Sequence, residues 1–74
     1  MAEMQEKKDR QLQRMARKQM KLMQEMKTQR EREYQLMLWC GFLTGLRLTN
    51  AITKEEYDRY YRDLQEMAEK MDAA

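Results

Sequence analysis

Only one stretch of this chain is continuously apolar. LMLWCGFL, from Leu36 to Leu43, lies between a leading stretch built mostly of Lys, Arg, Glu, Gln and Met and a second charged stretch that runs on to Ala74. Such a knot must be covered, and in a chain of 74 residues the charged flanks are what can cover it. The flanks must therefore fold as amphipathic elements. Their residues say which kind: 38% of the chain is charged, nine residues are Met, two are Gly and none is Pro. Without breakers, and without any run of alternating β-branched residues, the chain reads as all-α.

The knot is too short to cross a bilayer, which takes about 20 apolar residues. The opening MAEMQEKKDR holds no apolar segment, so it is not a secretory signal, and a cytoplasmic protein is expected. Cys40 is the single cysteine, which excludes an intramolecular disulfide and a Cys-based metal site. In an apolar run it reads as a small buried hydrophobe. The chain has no His and no Ser, so the usual nucleophile–base pairs cannot be assembled. No ligand spacing for a metal is present. The chemistry expected is binding, with no enzyme activity, cofactor, metal or small-molecule substrate.

Charge divides the chain in two. Residues 1–36 carry ten Lys/Arg and six Asp/Glu, whereas residues 37–74 carry five and seven. The sequence therefore reads as a basic amphipathic arm over 1–35 and a helical hairpin over 36–74. Within the hairpin the apolar knot is 36–46, the turn 49–53 and the second helix 54–71. At the turn, Asn50 suits the left-handed conformation that closes a helix. Thr53 and Glu56 form a T-x-x-E capping box, with Ile52 and Tyr57 as its hydrophobic staple. The second helix then carries Tyr57, Tyr60, Tyr61, Leu64, Met67, Ala68 and Met71 on one stripe. The short connection makes it antiparallel to the helix before it.

Residues 3–48 read as one long helix. Stepping round it by about 100° per residue from Leu12 puts Leu12, Met15, Ala16, Met23, Met26, Tyr34 and Met37 on one side. Lys7, Arg10, Arg14, Arg17, Lys18 and Lys21 fall on the other. In the knot the pattern reverses, and Leu36, Trp39, Leu43 and Leu46 lie on the basic side. The hairpin core is therefore expected at Leu36, Trp39, Leu43, Leu46, Ile52, Tyr57, Tyr61 and Leu64, with Gly45 and Gly41 allowing close approach or a bend. Met37, Leu38 and Phe42 point elsewhere, which makes the knot a self-association surface as well. With Leu12, Met15, Leu22, Met23 and Met26 they form the expected apolar partner-binding set. Lys7 and the five basic residues from Arg10 to Lys21 form the set for phosphates or an acidic partner.

Leu43 and Leu46 as L-x-x-L, NAITKEEY at 50–57 and then Leu64 resemble the short C-terminal (SHOCT) type of helical hairpin. That pattern runs L-x-x-L, a small turn ending in Gly, I-T-x-E-E-F and a second short helix. Here Asn50 stands for the Gly and Tyr57 for the Phe, and the resemblance covers residues 43–71 only. It implies an oligomerisation or interaction module of bacterial or mobile-element origin, and says nothing of the basic arm.

These features lead to a small helical binding protein that regulates a larger protein or nucleoprotein complex by helix docking, as recombination accessory factors and inhibitors do. A non-specific DNA- or RNA-binding helical dimer is the alternative, and a purely structural coiled-coil module the third reading. A homodimer is open under all three. No membrane partner is expected, because the first 33 residues hold no Trp or Phe to anchor in lipid.

Overall fold

A computed structural model describes the backbone of residues 2–74 and the side chains from Asp9 onward. Three helices follow one another: α1 (Ala2–Glu25), α2 (Gln29–Leu48) and α3 (Lys54–Ala73). The expected two-helix hairpin is thus a three-helix bundle, because the long first helix breaks at residues 26–28. Thr28 supplies the break. It takes an extended conformation, φ −118° and ψ 155°, and its hydroxyl oxygen accepts from the Glu31 backbone N–H at 3.1 Å. That is N-cap chemistry, which fills one of the donors a helix start leaves open.

The break turns α1 back along α2. Leu12 and Met15 at the middle of α1 line one groove with Phe42 and Leu46 toward the far end of α2 and with Ala51 and Ile52 of the turn after it. Met20 and Gln24 line another with Met67, Lys70 and Met71 near the end of α3. The helices therefore run up, down and up, with α1 parallel to α3. The core holds Leu12 and Met23 from α1, Trp39 and Leu43 from α2, Ile52 from the turn, and Tyr60, Leu64 and Ala68 from α3. Ala16, Met20, Leu36, Leu46, Tyr57, Tyr61, Met67 and Met71 pack around it, partly buried. The bundle measures 43 × 20 × 15 Å, so every helix keeps an outer face in water.

Burial explains why folding back wins over a straight rod. A rod leaves the Leu12–Met23 stripe in water. The break forgoes a few helical hydrogen bonds, partly replaced by the cap, and buries Leu12 and Met23. Each buried side chain of this size contributes about 1.5–3 kcal/mol.

Two polar ties hold the bundle's ends. At one end, Arg32 Nε donates to Asp72 Oδ1 at 2.5 Å and its guanidinium donates to the Met26 carbonyl at 3.1 Å. One nearly buried side chain thus joins the α1–α2 turn, α2 and the last turn of α3. At the other end, Asn50 has φ 59°. Its N–H bonds the Arg47 carbonyl at 3.0 Å, and the Ala51 N–H bonds the Leu46 carbonyl at 2.8 Å. This pair is a Schellman closure. The Thr53–Glu56 capping box is formed in both directions. Within the core, Trp39 Nε1 donates to the Tyr60 carbonyl at 3.2 Å, fixing α2 against α3.

The spacing puts Met23 and Met37 on one stripe of an unbroken helix, yet Met23 is fully buried and Met37 is exposed. Met23→Ala should therefore destabilise the isolated chain by about 2–5 kcal/mol and leave little cooperative unfolding. Met37→Ala should change stability by less than about 0.5 kcal/mol. Urea melts followed by circular dichroism measure both, and equal small effects would contradict the internal role of Met23.

Candidate functional site

Once the three helices have closed on one another, two exposed surfaces stand out among the described residues. The first is the outer face of α2. Tyr34, Met37, Leu38, Phe42 and Leu48 are all exposed large hydrophobics. Spacings of three and four residues place them with Gly41 and Gly45 on the side of α2 turned away from Trp39 and Leu43. At one border Phe42 stacks on Trp39, ring centroids 5.5 Å apart, and Met15 of α1 lines the adjoining groove. None of the seven α2 residues is charged.

The second surface is the outer face of α1. Arg10, Arg14, Arg17, Lys18 and Lys21 are all exposed there, opposite the buried Leu12 and Met23. Among the described residues none of the five is in an ion pair; the salt bridge found is Arg32–Asp72. Arg10 to Lys21 spans about 17 Å of helix. Lys7, assigned to the same set, lies outside the described side chains.

The apolar set read from the sequence is divided by the fold. Leu12 and Met23 lie in the chain's own core, and Leu22 and Met26 are half-buried. The partner this stripe needs is supplied by α2 and α3, so these residues are not a free docking surface. Met15 sits at the edge of exposure, while Met37, Leu38 and Phe42 face water. The hairpin-core set is brought together: Trp39, Leu43, Ile52 and Leu64 are buried, with Leu36, Leu46, Tyr57 and Tyr61 packed on them. The close approach or bend expected at Gly41 and Gly45 is not made within the chain, since a Cβ on either would meet nothing within 4 Å.

Sequence reasoning missed Arg32, whose ion pair needs the fold-back to form, and Tyr34 and Leu48 as parts of the α2 face. On an unbroken helix Tyr34 falls on the Met stripe with Leu12 and Met23. The signal for the break was present in T-Q-R-E at 28–31, the same T-x-x-E grammar as at 53–56.

Between α2 and α3 lies a small polar cluster. The Tyr57 hydroxyl sits 3.3 Å from Cys40 Sγ and 3.4 Å from Thr44 Oγ1, and Thr44 donates to the Cys40 carbonyl at 2.7 Å. Cys40, expected as a small buried hydrophobe, is half-buried. The Tyr60 hydroxyl is buried with no hydrogen-bond partner among the described residues, so this ring serves through its apolar body. Among the described residues no three His, Cys, Asp or Glu side chains gather as a metal would require. No described helix is long and apolar enough to cross a membrane.

No family model, curated protein or solved structure matches this chain.

The hydrogen bond with Cys40 is the main cause holding the Tyr57 hydroxyl above the ordinary tyrosine value of 10.0, with Thr44 acting in the opposite direction. A raised folded value means that the unfolded chain releases this proton first. The contribution to stability is present below pH about 10 and declines as pH rises from there through the folded value. Carbon-13 NMR of the tyrosine ring carbons, with Tyr57→Phe for assignment, should show Tyr57 titrating late. Cys40→Ala should bring it back toward 10.0; an unchanged midpoint would remove the thiol as the cause.

Proposed function

We propose that this chain is a small non-enzymatic binding protein that regulates a larger protein or nucleoprotein complex by helix docking, and that the outer face of α2 is its docking surface. The observation that carries this reading is the continuous uncharged face from Tyr34 to Leu48, left in water while the other large apolar side chains described, Met15 apart, are buried or half-buried. Burying such a face against another helix gains hydrophobic free energy, whereas leaving it exposed invites aggregation. Unbranched Met37 beside the glycines lets the surface adapt to its partner. The resemblance of residues 43–71 to an interaction hairpin supports the same direction, as does its association with bacterial and mobile-element proteins.

A second reading, non-specific contact with DNA or RNA, is favoured by the five exposed cations on the outer face of α1, none of them in an ion pair among the described residues. A face of this kind draws affinity from counterion release. It carries no base-reading motif. Salt separates the two readings, since phosphate contact weakens steeply with ionic strength and apolar docking does not.

A photo-crosslinking residue placed at Leu38, and separately at exposed Glu69 on α3, tests the docking surface in cells that produce the full chain. Position 38 should give one discrete heavier adduct and position 69 none. Absence of an adduct at 38, or the same smear at both positions, would contradict the assignment of α2.

A further inference from the structure

The α2 face carries two glycines for which the fold of the single chain has no use. Gly41 lies mid-helix and Gly45 in the last turn of α2, neither takes a positive φ, and a Cβ on either would meet nothing within 4 Å. Gly41 weakens α2 by about 1 kcal/mol relative to Ala, and Gly45, near the helix end, by less. They stand one turn apart at the centre of the exposed apolar strip. Mid-helix glycine on a packing face is what lets a second helix come close.

We infer that the α2 face is occupied by a second copy of this chain, α2 packing antiparallel on α2 about Gly41. The inference rests on the reading of that face as the docking surface and names its partner. Three observations select a second copy. First, the strip is complementary to itself: bulky Tyr34, Met37 and Leu38 fill its N-terminal half, while small Gly41, Thr44 and Gly45 line the middle of its C-terminal half between Phe42 at the border and Leu48 at the end. In an antiparallel pair centred on Gly41, Met37 of one copy enters the hole between Gly41, Thr44, Gly45 and Leu48 of the other, as a two-fold interface requires. Tyr34 of one copy then comes level with Leu48 of the other.

Second, the area suffices. Tyr34, Met37, Leu38, Phe42 and Leu48 are 59%, 61%, 49%, 40% and 79% exposed. Together they offer on the order of 600 Å² per copy, or about 1,200 Å² for the pair, which reaches the range of specific stable interfaces. Third, the strip carries no charge for an oppositely charged partner to match, and the antiparallel arrangement sets the two α2 dipoles side by side and opposed. In such a dimer each α1 cationic face stays in water, so the unit offered to a larger complex carries two of them.

The test is light scattering behind gel filtration of the purified full chain from about 1 to about 500 µM, repeated with Gly41→Ala/Gly45→Ala and with Met37→Glu. The wild type should reach twice the 9.2 kDa chain mass. Two added methyl groups block the close approach yet favour the helix, so the double alanine variant should dissociate at least tenfold more readily while its helicity and melting temperature as a monomer rise. Met37→Glu should also weaken the dimer at least tenfold with helicity kept. A dimer indifferent to all three substitutions would overturn the inference, because pairing would then lie elsewhere. A wild type monomeric throughout the range would overturn it too. In that case a discrete adduct from position 38 in cells would leave the docking surface standing with another partner, and no adduct would remove both.

Discussion

The bundle depends on the seating of Leu12 and Met23 of α1 against the groove between α2 and α3. A 74-residue chain with most of its apolar residues in one short knot cannot build a stable core from two helices alone. The third helix closes the core from the side that a hairpin would leave open. Its arrival depends on a single change of direction at residues 26–28, made without Pro or Gly. Thr28 caps α2 there, and Arg32, one turn further on, ties the turn carbonyl of Met26 to Asp72 at the end of α3. Gln35 Nε2 donating to Gln19 Oε1 adds a cross-link between α1 and α2 midway.

That closure also decides what the surface can do. Turning the Met stripe inward points Arg10, Arg14, Arg17, Lys18 and Lys21 straight out of the bundle. Covering α2 on the Trp39 and Leu43 side leaves Tyr34, Met37, Leu38, Phe42 and Leu48 on the other. One side of α2 is thus core and the other apolar and wet, which is why the knot is greasy all round. The glycines belong to the wet side, where helix propensity is given up with no return inside the single chain.

Much of the second half could be read from the residues. Asn50, Thr53, Glu56 and Ile52 spell a turn through local rules that tertiary packing does not override, and the α3 stripe from Tyr57 to Met71 faces the core as its spacing requires. The outward aim of Met37, Leu38 and Phe42 followed from the same geometry. The first half was not read correctly, for a physical reason. A Met stripe at helical spacing has the same pattern whether it meets another molecule or its own chain, and the cap in T-Q-R-E at 28–31 breaks the helix without Pro or Gly to mark it. The reversal of the apolar side between Met23 and Trp39 was itself a sign, since two opposed faces on one rod cannot both be covered by one short returning helix. Arg32 looked like one more basic residue, because its partner is 40 positions away.

The most direct check on the fold-back is a spin-label distance between positions 11 and 49 in a Cys40→Ala background, measured with a tenfold excess of unlabelled chain. Gln11 and Ala51 line one groove, so the bundle predicts a separation below about 20 Å that dilution leaves unchanged. An unbroken helix through position 49 would hold the labels about 57 Å apart. That distance, or a short one that vanishes on dilution, would mean that the stripe from Leu12 to Met23 is covered by another molecule and not by its own chain.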